Sequence, residues 1–262
     1  MKEAGWATEG VAPMARPGLA MRLFMRAVAA VERLNRRQAL LGNPCVYPVS
    51  SFPWAEGLER EWPAIRRELD RLLLRKRELP NVQDITADAR SITRDDRWKV
   101  FLFTAYGVHS RRNCELCPRT WRAVGAVPGL RTAMFSILEG GKCIPPHRGP
   151  YNGVLRLHLA LKVPRPAGEL GIRVGDQQCR WEEGRVLIFD DSYEHEVWNR
   201  SSDERVVLFI DFDKPLAQPA RLVNALMIRL ASFTPFLREG ADNLRQWERH
   251  FHDGAERPRG AA

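Results

Sequence analysis

A chain of 262 residues with 44% hydrophobic and 28% charged residues can bury a full core without disulfide staples, so it is neither a disordered segment nor a small cross-linked scaffold. Its five cysteines form no regular framework, and no stretch approaches the roughly 18 apolar residues of a membrane span. The net charge of +9 points to an anionic partner: a membrane surface, a nucleic acid or an acidic substrate.

Residues 1–20, rich in Gly and Pro, are expected to be a disordered tail, and both Met1 and Met21 can serve as starts. The tail lacks the basic-then-apolar layout of a cleaved signal peptide, so a cytoplasmic location is expected, with peripheral contact at the inner face of the membrane. Residues 21–42 hold a basic amphipathic helix. Leu23, Ala27, Ala30, Val31 and Leu34 share one face, while Arg22, Arg26, Arg33, Arg36 and Arg37 crowd elsewhere. Such a helix either lies on anionic lipid or docks on its own domain. A linker from Pro44 to Trp54 leads to a second helix, Leu58–Arg77, that stops before Leu79-Pro80. Residues 81–97 are expected to be loop, Trp98–Phe103 a strand, His109–Pro118 a loop and Arg119–Val124 a short helix.

From Arg131 strand signals follow in quick succession: Thr132–Leu138, Val154–Val163, Gly171–Val174, Gln177–Trp181, Arg185–Phe189, Glu196–Asn199 and Arg205–Phe212. Short apolar runs between Gly, Pro, Asp and Ser turns predict a mainly β fold with flanking α: an antiparallel barrel or jelly roll, with its core at about 131–213. After Pro215 the chain turns helical, over Ala220–Leu237 and Asn243–His252, and ends in a frayed Arg-Pro-Arg tail. The apolar run Leu222–Arg238 suits either a membrane surface or packing on the barrel.

Strand alternation places Leu155, Leu157, Leu159 and Leu161 on one face, and Arg156 and His158 on the other. An unpaired charge is costly in a core, so those two either face solvent or line a polar pocket. Arg205 leads an apolar strand, and Ser136 is the lone hydroxyl in another. His147 and His195 stand at strand ends, where a barrel can bring two imidazoles onto one ferrous ion. The usual iron triad adds a carboxylate two residues after the first histidine; here that position is Gly149. Cys114-x-x-Cys117 has only His109 nearby, which falls short of a zinc site.

These motifs carry a resemblance: Ser136, His147-Arg148-Gly149-Pro150, Leu155–Leu159, Trp181-Glu182-Glu183-Gly184, Phe189–Trp198 and Arg205. From about Asn43 to Pro215 the chain resembles the aspartyl/asparaginyl β-hydroxylase family of Fe(II)/2-oxoglutarate dioxygenases, which includes bacterial lipid A and ornithine-lipid acyl 2-hydroxylases. The family is similar in lacking the triad carboxylate. The resemblance implies a double-stranded β-helix (a jelly-roll, cupin-like barrel) over residues 43–215, with helices and a tail over 216–262. It implies Fe(II) on His147 and His195, and Asp191 acting at one remove from the metal. It implies that Arg205 and Ser136 hold the far carboxylate of 2-oxoglutarate, and Arg156 and His158 the near one. O₂ would be the oxidant.

The implied substrate is the acyl chain of a membrane lipid, or alternatively a peptide or small amino acid. In animal peptide hydroxylases an arginine two residues before the match to Arg156 is thought to grip an acidic substrate; here that position is Val154. The segment Glu194–Trp198 is nearer the wording of those peptide enzymes. A non-catalytic jelly roll binding an acidic ligand would need the arginines but not both histidines. Nucleic acid is not an expected partner, because the arginines are spread along helices and tails instead of interleaving with aromatics on one surface.

Overall fold

The computed structural model describes residues 18–165, 169–231 and 235–256. Of the tail expected at residues 1–20, residues 1–17 lie outside the described residues, as does the frayed terminus at 257–262, while Leu19 and Ala20 belong to the first helix. Among those described, two antiparallel sheets face each other. The larger contains β1 (Val46–Tyr47), β2 (Trp98–Ala105), β3 (Val108–His109), β4 (Leu130–Leu138), β6 (Val154–Lys162), β9 (Val186–Phe189) and β11 (Arg205–Asp213), in the order β1-β9-β6-β11-β4-β2-β3. The smaller is β5 (Cys143–His147), β10 (His195–Asn199), β7 (Leu170–Val174) and β8 (Gln177–Cys179), in that order. Apart from the β7–β8 hairpin within the smaller sheet, successive strands from β5 to β11 alternate between the two sheets, which is the winding of a double-stranded β-helix.

Each face of the larger sheet has its own core. Outward, Leu155, Leu157, Leu159 and Leu161 of β6 pack with Phe101, Phe103 and Phe135 under α2 (Ala55–Leu73), α5 (Pro118–Gly125) and α7 (Pro235–Glu256). Inward, Val100, Leu138, Ala160, Val207 and Phe209 meet Ile144, Ile172, Val174 and Val197 of the smaller sheet. Strand period two therefore sends the odd-numbered leucines of β6 to the helices, and Arg156 and His158 into the barrel. Glu68 of α2 ties helix to helix: its carboxylate accepts hydrogen bonds from the Arg119 and Thr120 backbone amides, both at 2.8 Å, at the start of α5.

Several local expectations are corrected. The segment read as loop before Pro118 holds α4 (Arg111–Leu116), opened by the Ser110 hydroxyl accepting from the Asn113 amide at 3.2 Å. The 81–97 segment holds the short α3 (Val82–Ile85), where the Asp84 carboxylate accepts from the Asn81 amide. The helix expected over Ala220–Leu237 is described over Ala220–Ala231 as α6, and the one expected over Asn243–His252 is longer, α7 being described over Pro235–Glu256. Strand β5, Cys-Ile-Pro-Pro-His, gave no strand signal; its two prolines are tolerated because it is an edge strand.

The cationic N-terminal segment forms α1 (Leu19–Arg37), which packs along α6. All five cysteines are free thiols, and burial raises Cys114 to about 11 and Cys117 further. No helix among the described residues is long and apolar enough to cross a membrane.

Candidate active site

The edge strand β5 pairs with β10 in a register that sets His147 opposite His195. The ring centroids are 4.1 Å apart, with the planes inclined at 51°. His147 Nδ1 lies 2.8 Å from the Pro145 carbonyl oxygen, and His195 Nδ1 lies 3.0 Å from that of Tyr193. A carbonyl can only accept, so each Nδ1 carries the proton and each Nε2 keeps a lone pair. Both rings are held neutral. Burial pushes His195 down to about 3; the two rings cannot both take a proton side by side, and Arg156 adds its charge. His147 is lowered first by burial, with Arg156 contributing. Two neutral imidazoles of fixed tautomer, side by side, are the donor set a divalent transition metal takes.

Asp191 fills the place where a third ligand would stand. The Gly149 amide donates to the Asp191 carbonyl at 2.8 Å, and a Cβ at position 149 would collide with the Asp191 carboxylate. That carboxylate is buried; Oδ2 lies 2.9 Å from Arg156 Nη2, and Oδ1 has no partner. Burial raises Asp191 to about 7, Arg156 opposes the shift, and Asp211 and Asp190 reinforce it. Among the described residues no group of three or more His, Cys, Asp or Glu converges as a metal cage; His147 and His195 are the pair that could hold a metal here. Introducing a triad carboxylate by Gly149→Asp is expected to displace Asp191, lower the melting temperature and bring no gain in metal affinity. Differential scanning fluorimetry and metal titration check this.

The Asp191 turn is anchored from behind. Lys214 Nζ donates to Asp190 Oδ2 at 2.8 Å in a fully buried pair, and Asp190 Oδ1 accepts from the Ser192 amide at 3.0 Å. Arg156 is less available than the resemblance implied. Its Nε and Nη2 fork onto the two oxygens of Asp211 at 2.9 and 3.2 Å, and its guanidinium lies 4.2 Å from the centre of the Phe209 ring. Asp211 was missed in the sequence, although strand parity puts it on the face of Arg205.

Deeper in the barrel the balance of charge is reversed. Arg205 heads β11 opposite Leu138 of β4, and its side chain is wholly buried. Its Nε and Nη1 have no hydrogen-bond partner, and the guanidinium lies 4.8 Å from the centre of the Trp181 ring. Burial alone lowers it to about 9, with no acid to offset the shift, so it remains charged at neutral pH. Two positions along the same face, Val207 stands opposite Ser136, whose hydroxyl oxygen accepts from Trp98 Nε1 at 3.0 Å and keeps its own hydrogen to donate. His158 is buried among Trp181, Phe189 and Phe209 with both ring nitrogens unpartnered. Burial, then the charges of Arg205 and Arg156, hold it well below the usual imidazole range.

An unpaired guanidinium in an apolar barrel costs several kcal/mol unless an anion completes it. Ring contacts run without a break from His147 to His195, Phe189, His158 and Trp181, and Trp181 lies against Arg205. The site can thus take a metal at its mouth and a carboxylate at its floor.

A family model described as aspartyl/asparaginyl beta-hydroxylase matches residues 59–215. An ornithine lipid ester-linked acyl 2-hydroxylase of Rhizobium tropici is 55% identical over 254 residues, covering 97% of this chain and 90% of that protein. The human aspartyl/asparaginyl beta-hydroxylase is 32% identical over 169 residues, 63% of this chain but 21% of its own length. Among solved structures, the Cnp3 cupin domain of Schizosaccharomyces pombe overlaps 53% of this chain and 76% of its own, with 11% identity and a TM-score of 0.33. With its match over most of the barrel and its near full-length relative, this chain belongs to the aspartyl/asparaginyl beta-hydroxylase family and is a hydroxylase.

Proposed function

We propose that the protein hydroxylates the acyl chain of a membrane lipid, using Fe(II), 2-oxoglutarate and O₂. The observation that carries the chemistry is the pair of adjoining imidazoles, each with Nδ1 taken by a backbone carbonyl, together with a buried guanidinium whose Nε and Nη1 have no partner. His147 and His195 would hold the iron. Arg205 and Ser136 would take the far carboxylate of 2-oxoglutarate, and His158, with both nitrogens unpartnered, would meet the near one. When bound, the metal with 2-oxoglutarate and O₂ supplies oxidative decarboxylation to succinate and CO₂, coupled to insertion of an oxygen atom into an unactivated C–H bond.

The protein's own share is placement and dryness. The Pro145 and Tyr193 carbonyls fix the two tautomers. Asp211 and Asp191 hold Arg156 across the mouth. Trp181, Phe189 and Phe209 keep water from the floor.

Two observations favour a lipid over a peptide. The relative with the near full-length match acts on ornithine lipid acyl chains, and Val154 replaces the arginine expected to grip an acidic peptide. The peptide-like wording of Glu194–Trp198 weighs less, because Glu194 and Glu196 both bind Arg173, at 3.1 and 2.6 Å. Succinate release should therefore rise with dispersed lipid and not with aspartyl peptides. Mass spectrometry of lipids from cells with and without the gene should show one hydroxylated species lost. An unchanged lipid profile, with peptide-driven succinate release, would replace this assignment with peptide hydroxylation.

A further inference from the structure

We infer that α1 and α6 together form a docking surface for an anionic bilayer, tethered directly to the loop that follows His147. Helix α6 turns Asn224 and Ile228 inward and leaves Leu222, Leu226 and Leu230, spaced four apart, as an apolar ridge pointing outward. On α1, Val28, Val31 and Leu34 are half-buried, whereas Leu19, Met21, Leu23, Phe24 and Met25 project. All eight of these outward side chains are more than half exposed. Scattered exposed leucines need no explanation, but eight large apolar side chains on two neighbouring helices mark an interaction surface.

Charge decides what covers it. The two helices carry seven arginines against one acid, Glu32. All seven are exposed, among them Arg22 and Arg26 beside the α1 prong and Arg229 beside the α6 ridge. A second copy of this chain would press arginines against arginines. An anionic lipid surface satisfies the cations and the apolar side chains at once.

The surface is wired to the site. Between β5 and β6, the loop that leaves His147 is held by both helices. Asn35 Nδ2 of α1 donates to Asn152 Oδ1 at 3.1 Å, and the Tyr151 hydroxyl donates to Asn224 Oδ1 of α6 at 2.6 Å. Asn224 Nδ2 in turn donates to the Gly153 carbonyl at 2.9 Å. A cavity of about 210 Å³ opens between the two regions, with Arg36 of α1 on one side and Arg148 and Ser192, neighbours of His147 and Asp191, on the other. Docking would set the mouth of the site at the bilayer surface. The inference deepens the lipid assignment and rests on it for what the docked site meets; vesicle binding itself does not depend on turnover.

The test uses the full chain with vesicles of phosphatidylglycerol and phosphatidylcholine, read by co-sedimentation. Binding is expected to anionic vesicles, to weaken with salt, and to be lost with phosphatidylcholine alone. The triple variant Leu222→Gln, Leu226→Gln, Leu230→Gln should melt as the parent does and bind on the order of a hundredfold more weakly. Arg22→Gln with Arg26→Gln should weaken binding by roughly fivefold per arginine and flatten the salt dependence. Both variants should retain turnover of detergent-dispersed substrate. No vesicle binding, or binding indifferent to the leucine ridge, overturns the docking surface while detergent-phase turnover leaves the lipid assignment standing. A concentration-dependent dimer abolished by the leucine variant assigns the face to a second copy instead. Vesicle binding by a protein that hydroxylates only peptides keeps the docking surface and ends the lipid assignment.

Discussion

Arg205→Met is expected to give a protein that melts higher than the parent in the absence of ligand and no longer responds to 2-oxoglutarate. The parent buries a whole guanidinium with Nε and Nη1 unpartnered and no acid to lift its lowered pKa. Replacing buried charge with a side chain of similar volume is commonly neutral or stabilising, by about 1–4 kcal/mol. Methionine is long and flexible enough to fill the slot beside Trp181. For a chain of this size each kcal/mol moves the melting temperature by about 2–4 °C. The ligand effect runs the other way. A carboxylate that completes Arg205 gains a charge-assisted, two-point contact in a dry site, and losing it should weaken 2-oxoglutarate by on the order of 10²–10³-fold. Thermal melts of parent and variant, each with and without 2-oxoglutarate, read both effects. A variant that melts lower and still gains stability from 2-oxoglutarate would mean that Arg205 is structural and the co-substrate lies elsewhere.

His147→Ala is expected to abolish turnover while sparing the fold. The residue ends an edge strand and belongs to neither hydrophobic core, so its loss leaves no cavity. Under the proposed function its weight is larger than that of a ligand in a three-residue triad, because with Gly149 at the third position the protein's hold on iron would be two imidazoles. Loss of an outer-shell partner typically costs 10–100-fold in metal affinity, so loss of one of two direct ligands should exceed that, on the order of a thousandfold or more. Fe(II) titration and succinate release measure it, with the circular dichroism spectrum as control. Unimpaired turnover in the variant would remove the iron site. Retained 2-oxoglutarate binding by a parent protein with no turnover would point to a binding protein built on the same barrel.

The barrel was legible because its strands are short, apolar and separated by turn residues, and because β6 displays its two faces openly, leucines on one and Arg156 with His158 on the other. What escaped notice had physical reasons. Strand β5 contains two prolines, which an edge strand tolerates but a pattern search rejects. Helix α4 is held by the Ser110 cap and by tertiary contacts, with too few turns to show a period. Asp211 stands in a strand otherwise rich in apolar residues, and only the pairing of β11 with β6 shows that it faces Arg156. The tie between the His147 loop and the helices runs through Asn35, Asn152 and Asn224, residues more than a hundred positions apart for the first pair and nearly two hundred for the outer two. No local motif encodes contacts of that range. The basic helix posed a choice between lipid and its own domain; α1 meets α6 with one face and leaves its N-terminal apolar residues exposed.

Anaerobic titration of Fe(II) into the protein with 2-oxoglutarate, followed by visible absorption, tests the central claim most directly. A weak metal-to-ligand charge-transfer band is expected to saturate at one iron per chain in the parent, and to be absent from His147→Ala, His195→Ala and Arg205→Met. Well-folded parent protein that shows no such band, or a band that survives all three substitutions, would contradict the assignment of this barrel as the iron and 2-oxoglutarate site.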